Sequence, residues 1–95
     1  MRSIFWTDAA KLDLANVDDW YASRNPDFAD TVGDAAIAAA RLIVEFPFAA
    51  PAVDGASVRK WNIAGTDYRL IYLLSDKQVE IVRVRHAREN WREEV

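Results

Sequence analysis

In the last third of the chain a nearly continuous apolar run, residues 68–74, and a run that alternates apolar with charged residues, 79–86, are separated only by the polar stretch 75–78. A strand–turn–strand pattern of this kind commits the chain to an antiparallel hairpin, and so to a sheet with at least one face that must be covered. The second run is unusual for a core strand. Arg83, Arg85 and His86 are set among its valines and isoleucine, and Arg88 and Trp91 follow closely. Apolar strands suffice for a core, so this cationic cluster needs a separate explanation.

The cover for the sheet lies earlier in the chain. Ser3 to Trp6 is a short strand candidate, and Thr7 is placed to cap a helix, with Asp8 in its first turn. Ala10, Leu14, Val17 and Tyr21 then recur at helical spacing, which predicts one apolar face, with Asp13, Asp18 and Asp19 in water and Trp20 widening the stripe. Asn25-Pro26 punctuates the chain. Asn25 suits a cap and Pro26 the first helical position, where no N–H is needed. The stripe Phe28, Val32, Ala35, Ala36, Ala39, Leu42, Ile43, Phe46 predicts a second amphipathic helix, ended by Pro47. The helical aromatics Trp20, Tyr21, Phe28 and Phe46 are expected in the core. Residues 48–57 read as a small-residue loop, 58–63 as a strand and 64–67 as a turn containing Gly65. The order β-α-α-β-β-β predicts an α+β fold, a helical hairpin packed on a small, mainly antiparallel sheet. At 95 residues the expectation is one domain spanning 1–95.

Composition narrows the function classes. With no cysteine and one histidine, neither a disulfide framework nor a metal site is expected, and no motif calls for a cofactor. No apolar run approaches the roughly 20 residues of a membrane span, and the N-terminal apolar run is too short for a signal peptide, so a cytoplasmic location is expected. Residues 1–57 hold four Lys/Arg against nine Asp/Glu, a net of −5, and residues 58–95 hold eight against six, a net of +2. Positive charge is thus concentrated near the hairpin of an acidic chain. That balance weighs against a nucleic-acid backbone as the dominant partner.

The layout resembles the RelE/ParE superfamily of toxins from type II toxin–antitoxin modules. The resemblance rests on the early strand, the hairpin broken at Asn25-Pro26, the helix ending Glu45-Phe46-Pro47, Tyr68-Arg69 leading into Ile71-Tyr72, and the closing run from Val79 through His86 to Trp91. The ending is most similar to the ParE branch. The resemblance implies a cognate antitoxin, ParD-like or related, held in a toxin–antitoxin hetero-oligomer. For the ParE branch it implies inhibition of DNA gyrase by protein–protein contact, and for the RelE branch ribosome-dependent mRNA cleavage. Arg69 and Arg85 match basic positions of the nucleolytic members, and His86 is the available base. However, no tyrosine follows Tyr72, and the loop before the sheet offers Asp54 but no glutamate. This departure favours the gyrase-inhibitor reading. A module with this fold but no toxicity is the third reading.

If Arg69, Arg83 and Arg85 share the uncovered sheet face, a target-binding surface follows, comprising Arg59, Trp61, Arg69, Arg83, Arg85, His86, Arg88 and Trp91. The bland alternatives are an Arg69–Asp67 pair, a solvated strand end balanced by nearby glutamates, a half-buried His86 and a Trp91 lid. Leu14, Val17 and Tyr21 on the first helix, together with Arg83 and Arg85, are the expected antitoxin contacts.

Overall fold

The structure, a computed structural model, describes residues 2–53 and 57–87. Strand β1 (Ser3–Trp6) leads into α1 (Asp8–Ala22) and α2 (Pro26–Glu45), followed by β2 (Val58–Asn62), β3 (Tyr68–Leu74) and β4 (Gln78–His86). The sheet order is β1-β4-β3-β2. Its last three strands are antiparallel, and β1 joins parallel to β4, with Ile4 opposite Val79 and Trp6 opposite Ile81. The helical hairpin is the crossover that a parallel pairing requires.

The helix boundaries follow local chemistry. The Thr7 hydroxyl oxygen accepts from Ala10 N–H at 3.1 Å and its O–H donates to the Val82 carbonyl at 2.9 Å, so one side chain both caps α1 and ties it to β4. Thr7→Ala is expected to lower folding stability by about 1 kcal/mol or somewhat more, since a tertiary bond goes with the cap. A shift in urea midpoint at unchanged m-value checks this. Asn25 accepts from Phe28 N–H at 3.2 Å, with Pro26 opening α2.

The core lies between the helices and one sheet face. Ala10, Ala36, Ala39, Ala40 and Ile43 meet Leu70, Tyr72, Val79, Ile81 and Val84. Small helical residues bring backbone close to the sheet, and Tyr72 uses its whole length. Its hydroxyl donates to the Pro47 carbonyl at 3.0 Å, pinning the end of α2 to β3. Burial pushes the Tyr72 hydroxyl pKa up, partly opposed by the Arg59 charge. On the opposite face Ile71 packs with Val53, Val58 and Val82, so the connector covers part of the sheet that the helices leave open.

Gly65 turns the chain between β2 and β3 at φ +79°. An added methyl would meet nothing within 4 Å, so the cost of Gly65→Ala is backbone strain alone. It is expected at about 1–2 kcal/mol and is measurable as a lower thermal midpoint.

Several expectations need correction. Leu42 and Phe46 do not complete the buried stripe of α2. They are 46% and 56% exposed, while Ile43 and Val44 beside them pack on the core. Trp20 is 56% exposed rather than core, with the Arg24 guanidinium stacked 3.7 Å from its ring. Tyr21 and Phe28 are half-buried and meet edge to face at 4.8 Å across the hairpin apex. Strict alternation along β4 also fails. Ile71 pairs with Arg83 but Tyr72 pairs with Ile81, so Val82 is an extra residue, a bulge. The bulge lets Val79, Ile81 and Val84 all reach the helix-side core, whereas unbroken alternation would place Val84 opposite the other two. Finally, Asp13 is not in water.

Candidate functional site

The hairpin end of the sheet gathers most of the predicted residues, in an arrangement different from the expected one. β1 pairs with β4 only as far as Ile81, which leaves the outer edge of β4 uncovered from there on. Helix α1 supplies the missing partner. The Asp13 carboxylate accepts from Val84 N–H at 3.0 Å, from Arg83 Nε at 2.8 Å, from Arg83 Nη2 at 3.0 Å and from Arg85 Nη1 at 3.2 Å. One side chain therefore caps an open strand edge and bridges two arginines, offsetting one of their two charges.

Burial alone would raise the pKa of Asp13. The Arg83 and Val84 hydrogen bonds and the charges of Arg85 and Arg83 outweigh it, and the carboxyl is held below its ordinary value. The Asp13 side chain is 10% exposed, and Arg85 is a buried charged residue. Buried charge of this kind is tolerable only when paired and hydrogen-bonded.

Sequence reasoning missed Asp13, although a signal existed. Residues 10, 13 and 17 fall at helical spacing on one face, so Asp13 sits on the apolar stripe itself. An acid there, in a chain with basic residues on an interrupted strand, marks a buried ion pair.

Arg69 lies opposite Arg85 on β4 and opposite Asn62 on β2. It is half-buried, and among the described residues no ion pair joins it to Asp67. With Asn62, Thr66, Asp67 and Ala87 it lines a shallow polar concavity at the strand ends, closed at one side by the Ala87 N–H bond to the Asp67 carbonyl at 2.7 Å. Like charges directly opposite on a sheet repel. The Asp13 carboxylate beside Arg85 offsets that repulsion, and Arg69 lies at the rim of the concavity.

His86 is placed elsewhere. It pairs with Tyr68, and the two rings meet edge to face at 5.2 Å and 89°. Tyr68 packs against the helix-side core, so Tyr68 and His86 occupy the face opposite Arg69. Arg59 and Trp61 are also on the helix side, across from Tyr72 and Leu70. The expectation that they border the surface around Arg69 is corrected by that register. Arg59 Nη1 donates to the Ala50 carbonyl at 2.6 Å. Arg88 and Trp91 lie outside the described residues.

Of the expected antitoxin contacts, Leu14 and Val17 line a groove between the helices with Ala29, Val32 and Gly33. Tyr21 sits at the hairpin apex against Phe28. Arg83 and Arg85 are engaged by Asp13, and Arg85 lines with Asp13, Val17 and Trp20 a neighbouring concavity on the other side of α1's Val17. Among the described residues, no group of three or more His, Asp or Glu could hold a metal ion.

The same architecture occurs in solved toxin structures. A chain of the chromosomal ParDE toxin–antitoxin system from P. aeruginosa superposes with a TM-score of 0.79 at 20% identity, covering 90% of this chain and 96% of that one. YafQ from E. coli gives 0.57 at 17% identity, covering 90% and 93%. The E. coli DinJ–YafQ complex gives 0.58 at 18% identity with the same coverage of 90% and 93%. No curated protein sequence matches significantly. At these identities the structural likeness speaks for the fold. The family assignment comes from the sequence pattern itself, because the model of the ParE toxin of the type II toxin–antitoxin system, parDE, matches residues 4–91. That span takes in the early strand, both helices, the bulged hairpin and its closing run, and the chain belongs to the ParE toxin family.

Proposed function

We propose that this ParE-family chain inhibits DNA gyrase by protein–protein contact and is neutralised by a cognate, ParD-like antitoxin in a hetero-oligomer. The observation that carries the proposal is the division of the cationic cluster. His86 packs on Tyr68 on the helix side, while Arg69 and its cross-strand partner Arg85 belong to the other face and Arg85 is bound to Asp13. A nuclease would need these groups convergent on one phosphate and one ribose hydroxyl. A docking surface needs only Arg69 and the strand-end concavity around it. The apolar groove lined by Leu14, Val17, Ala29 and Val32 supports the antitoxin half of the proposal, since it suits an amphipathic segment that orders on binding. A gyrase target requires the cytoplasm, and no helix among the described residues is long and apolar enough to cross a membrane.

The test is ATP-dependent supercoiling by purified gyrase. Inhibition is expected, with relief on adding the antitoxin, and normal supercoiling at a large excess of the chain rejects the proposal. The rival reading is ribosome-dependent mRNA cleavage, favoured by the Tyr68–His86 pair as a base with an aromatic neighbour. Primer extension on ribosome-bound mRNA decides between them. Codon-positioned cuts abolished by His86→Gln establish the rival.

A further inference from the structure

A second cationic and aromatic surface lies at the other end of the sheet, where α2 terminates. Along β3 about 20 Å separate the Arg2 side of this surface, at Ser75, from Arg69, and about 10 Å the Arg59 side, which lies opposite Tyr72. Leu42 and Phe46 are exposed there, and Phe48 just beyond them is 64% exposed. Scattered exposed apolar residues are ordinary, but a cluster rimmed by polar groups marks an interaction surface.

The rim is cationic and held in place. The Arg2 guanidinium lies 5.4 Å from the centroid of the Phe48 ring and the Arg59 guanidinium 5.2 Å from it. Arg2 precedes one edge strand and Arg59 sits on the other. Each is anchored by a single carbonyl, Arg2 Nε to Ser75 at 2.7 Å and Arg59 Nη1 to Ala50 at 2.6 Å. Among the described residues neither pairs with a carboxylate, the ion pairs there being those of Asp13 with Arg83 and Arg85. Arg83 and Arg85 thus share an internal carboxylate, while Arg2 and Arg59 lie beside an exposed phenyl ring with carbonyls as their hydrogen-bond partners.

We infer that this surface docks a peptide segment carrying an apolar anchor flanked by Asp or Glu. The anchor packs on Phe46 and Phe48, and the carboxylates accept from the guanidinium N–H groups that the carbonyls leave over. The two planar forks suit paired carboxylate recognition, and a basic peptide would meet repulsion instead. The inference holds whichever target the Arg69 surface engages.

Fluorescence anisotropy with the full chain tests it. The probes are a labelled synthetic peptide alternating Glu with Leu and Phe, and its counterpart with Lys for Glu. The acidic peptide is expected to bind saturably and to weaken with salt. Phe48→Ala and Arg2→Gln should each weaken it about fivefold or more, while Arg69→Ala leaves it unchanged. Both substituted side chains lie outside the core, and a circular-dichroism melt confirms folding. Equal binding of the Lys peptide overturns the inference. So does absence of binding, or sensitivity to Arg69→Ala without sensitivity to Phe48→Ala.

Discussion

Asp13→Ala is expected to cost about 3–5 kcal/mol of folding stability, because removing one partner of a buried pair leaves the other charge uncompensated. Here the loss is compound. Arg85 would be left buried opposite Arg69 without its counter-ion, Arg83 would lose a two-bond contact, and Val84 N–H would face an open strand edge. Domains of this size are stable by only about 5–15 kcal/mol, so the variant should be near unfolding at moderate temperature. Urea denaturation of both proteins measures it. A loss below about 1 kcal/mol, the range of a surface ion pair, would show that the triad is no more than surface charge.

The same carboxylate sets an acid limit. Its pKa is depressed in the folded state, so its contribution is complete above the unfolded-state value of about 3.9 and is lost as pH falls through the lower folded value. Stability should fall through that acid window in the native chain. The slope should be smaller in Asp13→Asn, which keeps an acceptor for Val84 but nothing to titrate. Parallel pH profiles for the two would show that other carboxylates govern acid unfolding.

Arg69→Glu carries the largest expected functional effect. Arg69 lines the concavity, and arginines at the centre of an interface are among the costliest residues to lose. Truncation at such a site typically costs about 2 kcal/mol or more, roughly thirtyfold in affinity, and reversing the charge adds repulsion. Gyrase inhibition should therefore need at least about tenfold more protein, and growth arrest on induction should disappear. The fold should survive, since a glutamate facing Arg85 removes a like-charge pair. An unchanged thermal midpoint with full toxicity would move the target surface away from Arg69.

Much of the fold was legible because its determinants are local. Thr7 and Asn25 cap helices through their own backbone neighbours, Pro26 opens α2, and Tyr68 to Leu74 is a short apolar and aromatic run bounded by turn residues. The site was less legible because its determinants join residues far apart in the chain. Asp13 and Arg83 are separated by 70 positions, and nothing in either segment alone indicates that they meet. The bulge at Val82 depends on how β3 and β4 pair, and it decides which side chains of β4 enter the core. One misplaced residue reverses every face assignment beyond it.

Propensity, capping and periodicity act over a few residues, and they were enough for the elements, their order, the helical cover over one sheet face and the cationic character of the closing hairpin. What the cations do depends on contacts across the fold. Those contacts bind Arg83 and Arg85 to Asp13, put His86 on the face opposite Arg69, and leave Leu42, Phe46 and Phe48 exposed. The reason is that charge is neutralised, and apolar surface hidden, by whatever side chain arrives in space, and which one arrives is settled by packing and register across the whole chain.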